Sequence, residues 1–204
     1  MQRARFLSVR DDASVDALRS WALDRAVVRE PDPALRLARR PYNGGLPAGG
    51  IGLALRRVRD PLTQHRIEAE FVRTLDALTE AGRTPVLLPF CAHPSADVEQ
   101  DLAYAEALRH CAARPNAIRV IAGARHPGEM LDAVSRLDAV VAMRFHAIVF
   151  AYASRTPVLA LPYDDKCASF VHEHHLSSLP LASVTARSLL DALPFVRAAS
   201  LVAA

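Results

Sequence analysis

Beyond residue 50, short apolar runs alternate with longer stretches in which apolar positions recur every three or four residues. Residues 51–55, 86–90, 118–121, 139–143 and 158–161 are nearly all apolar, as strands covered on both faces must be. Between them, residues 62–81 carry one long apolar stripe and stop at Gly82, a helix with its terminating glycine. Residues 98–113 read as a second helix, Pro127 opens a third, and helices follow around 147–154, 167–175 and 186–198. Strands alternating with helices predict an α/β fold, a doubly wound parallel sheet of five or six strands with right-handed crossovers. Ahead of this array, residues 6–9 read as a short strand. Residues 14–23 read as a helix with Val15, Leu18 and Leu23 on one face, and Val27 and Val28 begin another strand.

The sharpest break in the pattern is at residues 36–50, where Pro41, Asn43, Gly44, Gly45, Pro47, Gly49 and Gly50 collect, as in a linker. The expected division is therefore residues 1–35 as part of one domain, 36–50 as linker, 51–195 as a Rossmann-like domain and 196–204 as a tail. One or two strands and a helix are too little for an independent domain. Residues 1–35 should thus expose apolar surface and a strand edge, or cover them in a homo-oligomer. Of 204 residues 51% are hydrophobic, enough for a core, and the net charge is only +3. Without a Lys/Arg-rich run or clustered aromatics, no nucleic-acid partner is expected. No apolar stretch is long enough to span a bilayer, and no apolar segment follows the first charges as in a signal peptide. The three cysteines, Cys91, Cys111 and Cys167, are far apart and form no metal or disulfide pattern, which fits a reducing cytoplasm.

The chemistry concentrates at the ends of two apolar runs. Residues 139–143 lead into Arg144 and His146, and residues 158–161 into Tyr163, Asp164, Asp165 and Lys166, the only lysine. Ligands of open parallel sheets bind at the carboxyl ends of strands. Arginine grips phosphate or carboxylate with two prongs, and histidine moves protons near neutral pH. A cationic edge therefore suits an anionic substrate, although Arg144 could equally pair with an acid, His146 cap a helix and Lys166 be a solvated charge. Arg10 also follows a strand, beside Asp12 or Ser14 as helix cap. The run His172-Glu173-His174-His175 is not an H-E-x-x-H zinc motif. His172 and His175 could share a helix face, but two ligands do not make a catalytic metal site. The paired glycines at 44–45 and 49–50 precede a strand, whereas phosphate-loop glycines follow one.

The residues at 139–151 and 156–166 resemble the polysaccharide pyruvyl transferase family, whose bacterial cell-wall branch shows M-R-L-H, an apolar helix and then P-V and Y-D-P-K. Residues 8–14 with Leu18 are similar to its S-x-R-D-x-x-S-x-x-L segment, residues 32–34 to its D-P-A, and residues 52–56 to its apolar strand ending in arginine. The resemblance implies half of a two-domain GT-B-like fold plus a partial N-terminal domain. It implies transfer of pyruvate from phosphoenolpyruvate to two hydroxyls of a sugar, as a ketal, with no cofactor or obligatory metal. It places Arg10, Arg56 and Arg144 at the donor and gives His146, then Lys166, as proton donor. The partners would be phosphoenolpyruvate and a sugar or lipid-linked saccharide, in the cytoplasm or at the inner membrane surface. Phe145 stands for the family's Leu and Asp165 for its Pro, and most of the family's N-terminal domain has no counterpart here. A nucleotide-sugar glycosyltransferase and a non-catalytic anion-binding domain are the alternatives.

Overall fold

The computed structural model describes residues 6–21, 26–46, 50–91, 100–122 and 126–193. The chain divides into two compact units, residues 1–38 and 39–204. In the first, β1 (Leu7–Val9) and β2 (Val27–Arg29) pair in parallel, Leu7 opposite Val27. Helix α1 (Asp12–Ser20) connects them, and a 3-10 turn, Pro33–Arg36, follows. The residue that caps α1 is Asp11, not Asp12 or Ser14: its carboxylate accepts the Ser14 N–H at 2.8 Å. Phe6, Trp21 and Val28 are exposed.

The second unit holds a six-stranded, wholly parallel sheet. Its strands are β3 (Gly50–Ala54), β4 (Thr84–Leu87), β5 (Arg119–Val120), β6 (Ala139–Ala142), β7 (Val158–Ala160) and β8 (Ser177–Ser178), in the order β5-β4-β3-β6-β7-β8. From β3 the chain winds outward to β5, crosses to the other side of β3, and winds outward again to β8. The helices are α2 (Pro61–Glu80), α3 (Asp101–Cys111), α4 (Pro127–Ser135), α5 (Phe145–Ser154), α6 (Asp165–Glu173) and α7 (Ala186–Ala192). Reversal of the winding direction puts helices on opposite faces when every crossover is right-handed. Accordingly α2 packs with α3 and α7, while α5 packs with α4 and α6. The expected helix at 186–198 is described only to Ala192, and residues 194–204 lie outside the described part.

Strand polarity is set by alternation. Ile51, Leu53 and Leu55 join Val141, Met143 and Leu159 in one core with Ile67, Phe71 and Leu75 of α2. The opposite face of β3 is Gly50, Gly52 and Ala54, small enough for other side chains to lie close over the backbone. A Cβ on Gly52 would meet Leu137 at 2.7 Å and Leu88 at 2.9 Å. Helix α5 is apolar on nearly all sides and correspondingly buried. No helix among the described residues is long and apolar enough to cross a membrane.

Candidate functional site

The winding reverses between β3 and β6, and the loops leaving these two adjacent strands carry Arg56 and Arg144. In open α/β sheets this is where ligand crevices form. Both arginines are only 8% exposed, which is costly for a cation unless each has a partner. Each has one, supplied from a strand end farther out in the sheet.

Arg144 reaches across the end of β3 to Asp101, the first residue of α3. Its Nε donates to Asp101 Oδ1 at 3.2 Å and to Oδ2 at 2.9 Å, and its Nη2 donates to Oδ1. Asp101 is 1% exposed. Its Oδ2 also accepts the N–H of Phe90 at 3.1 Å and of Cys91 at 2.9 Å, in the loop after β4. Burial raises the Asp101 carboxyl above the ordinary aspartate range, opposed by Arg144 and these two amides. The alternative in which Arg144 pairs with an acid is thus realised, though with a buried acid.

Arg56 lies over the Tyr163 ring, with its guanidinium carbon 4.3 Å from the centroid, and its Nε donates to the Arg57 carbonyl at 3.0 Å. Tyr163 follows β7, so this contact spans the end of β6. Burial raises the Tyr163 hydroxyl, and Arg56 opposes the shift. A cation over an aromatic face is attracted by the negative face of the ring.

His146 is exposed and occupies the second position of α5, whose N-cap is Arg144. It therefore does not cap that helix. Among the described residues no side chain caps α5, whereas Asp60, His126, Asp164 and Thr185 accept backbone N–H groups at the starts of α2, α4, α6 and α7. Lys166 is exposed in the first turn of α6, not in a loop, and its Nζ lies 4.7 Å from the Phe145 ring centroid. The same ring meets His146 edge-on at 5.4 Å. Phe145 thus neighbours both candidate proton donors. Asp165, which stands for the family's Pro, is the first residue of α6, and Asp164 caps that helix by accepting the Cys167 N–H at 2.8 Å.

In the first unit, Arg10 Nη1 donates to Asp32 at 3.0 Å, while the same carboxylate accepts the Ala34 N–H. Two segments singled out in the sequence therefore meet in one ion pair. His172 and His175 do not share a helix face: α6 ends at Glu173, and His175 has φ 52°. His174 instead packs at a tilt against Tyr152 and Phe170, with ring centroids 4.4 and 4.2 Å apart. No group of three potential metal ligands occurs among the described residues. Asp101 was the functional candidate that sequence reasoning missed. A signal existed: an arginine at the end of a wholly apolar strand needs a counter-ion, and Asp101 lies beyond another strand end.

Solved structures share the fold at low identity. Heptosyltransferase WaaC of E. coli with ADP superposes with a TM-score of 0.53 at 15% identity, covering 78% of this chain and 47% of that one. A UDP-forming α,α-trehalose-phosphate synthase from Burkholderia vietnamiensis gives 0.53 at 15%, covering 98% and 53%. These neighbours are GT-B glycosyltransferases, and the chain spans about half the length of each. No curated protein matches it. The family model for polysaccharide pyruvyl transferase matches residues 1–165, and the chain belongs to that family.

Proposed function

We propose that this chain carries the donor site of a polysaccharide pyruvyl transferase that takes pyruvate from phosphoenolpyruvate, within a domain spanning residues 51–195. The acceptor in this reading is a sugar of a polysaccharide precursor. The observation that carries the reading is the pair of buried arginines on the two strand ends flanking the winding reversal. Phosphoenolpyruvate has a phosphate and a carboxylate, and two fixed cations match two anionic groups.

Chemistry then needs a proton at C3 of the donor, which makes C2 an oxocarbenium-like electrophile. One acceptor hydroxyl adds to C2 and gives up its proton. The C2–O bond to phosphate breaks, phosphate departs, and a second hydroxyl closes the ketal and loses its proton. Of the two hydroxyl protons, one replaces that delivered to C3 and the other leaves with phosphate. His146 is the first candidate for the acid and Lys166 the second: both are exposed, ionisable and next to Phe145.

Titration calorimetry with phosphoenolpyruvate, UDP and ADP tests the donor. Arg144→Lys keeps the charge but loses the two-pronged geometry, and should weaken phosphoenolpyruvate binding by about 1.5 kcal/mol. His146→Gln should leave that affinity in place and depress phosphate release with a sugar acceptor, because proton delivery matters only in the transition state. Binding of UDP or ADP but not phosphoenolpyruvate would favour nucleotide-sugar chemistry, the reading suggested by the fold neighbours.

A further inference from the structure

We infer that Asp101 is a positioning residue of the donor site, fixing the guanidinium of Arg144 for an incoming anion; this rests on the donor reading above. Arginine has a long, flexible side chain, and holding it in one orientation costs conformational entropy. Asp101 engages Nε and Nη2, one whole edge of the planar guanidinium. A two-pronged grip on one edge fixes the direction of the other. Asp101 is itself held: the amides of Phe90 and Cys91 donate to its Oδ2, and its own N–H donates to the Cys91 carbonyl at 3.0 Å. The acid is therefore anchored in the β4 exit loop, and the cation it orients sits at the β6 exit, with the β3 end between them. The loop after β4 thereby sets the direction of a group two strands away.

A purely structural ion pair would look different. The half-buried pair Arg83–Asp138 lies at the opposite edge of the sheet, where Asp138 immediately precedes β6. It serves as the control. Asp101→Asn keeps the side-chain shape and one neutral oxygen for the loop amides, but it removes the charge and turns an NH2 donor toward the N–H donors of Arg144.

The test uses the full 204-residue chain with three variants, Asp101→Asn, Asp101→Glu and Asp138→Asn. Calorimetry reads phosphoenolpyruvate affinity. Proton–nitrogen NMR reads the Arg144 Nε–H signal, assigned by its loss in Arg144→Lys. A protected Nε–H signal is expected in the parent, lost in Asp101→Asn and displaced in Asp101→Glu. Both Asp101 variants should lose roughly tenfold or more in affinity, the worth of one charge-assisted hydrogen bond. Asp138→Asn should lower the denaturation midpoint and leave affinity unchanged. If Asp101→Asn does not fold, Asp101→Glu, which keeps the charge, decides alone. Affinity unchanged in an Asp101 variant whose Nε–H signal has been lost or displaced overturns positioning alone. The same holds if Asp138→Asn weakens binding as much. A parent chain that binds no phosphoenolpyruvate overturns the donor reading, and this inference with it.

Discussion

Asp164 shows how one side chain ties local structure to the site. Burial works against its ionisation, but hydrogen bonds from Cys167 and Tyr163 and the charge of Lys166 prevail, so its carboxyl is held below the ordinary 3.8. Its oxygen starts α6, the helix that carries Lys166. Asp164→Ala should cost about 1 kcal/mol of stability, and Asp164→Asn much less, by urea denaturation at pH 7. The depressed value fixes the sign of the pH dependence. The contribution is complete above the unfolded value near 3.8 and disappears as pH falls through the lower folded value. Asp11, lowered by hydrogen bonding from Ser14, behaves alike. The stability difference between parent and Asp164→Ala should therefore vanish at low pH, and a constant difference down to pH 2 would contradict the capping account. Which of Asp11, Asp12 and Ser14 caps α1 was not legible in the sequence, since all three are cap formers. The choice is made by backbone: Asp11 is extended, at φ −138° and ψ 157°.

At the scale of elements, β3 is notable for what it lacks. Gly50, Gly52 and Ala54 make a face without bulk, and Leu137 and Leu88 fill the space. Gly52→Ala puts a methyl group where both leucines already stand, and should cost about 1–3 kcal/mol in urea unfolding. A neutral result would mean that both leucine side chains have room to move aside. Strands β3, β4, β6 and β7 were legible because each is a largely buried apolar run, and β5, Arg119–Val120, because buried Ile118 and Ile121 flank it. Strand β8 was not: Ser177 and Ser178 are exposed and carry no hydrophobic signal, so only their pairing with Leu159 and Ala160 makes them a strand. The cationic strand end at Arg144 was legible for the same reason as the strand it follows, and Arg56 through the family resemblance. Their partners were not. Asp101 is separated from Arg144 by 43 residues, and it lies where the pattern suggested the interior of a helix beginning at 98. Sequence periodicity reports which face of an element is buried, not which charges meet across strand ends.

For the whole molecule, every residue of the main core cluster lies between Ile51 and Leu193. A fragment beginning at Arg39 should therefore keep a cooperative urea transition and the near-ultraviolet signal of fixed aromatic packing. A fragment with helical content but no cooperative transition would show that residues 1–38 complete that core. Among its described residues the first unit has one parallel strand pair and one nine-residue helix. Two-stranded sheets are at best marginally stable alone.

The reversal of winding at β3 also has a consequence for the order in which the protein is made. Strands β3, β4 and β5 are sequence neighbours and can pair as soon as residues 50–120 have emerged from the ribosome. Strands β6, β7 and β8 form a second local set. The pairing that joins the two sets matches Ile51 with Ala139, a contact that must close a long loop and is correspondingly slow to form. Arg56 and Tyr163 lie on opposite sides of that junction, as do Asp101 and Arg144. Neither half can hold its arginine in place before the other arrives. Under the donor reading proposed above, the last major step of folding and the first appearance of anion affinity should thus be a single event, checked by whether phosphoenolpyruvate binding returns only when the two halves of the sheet have joined.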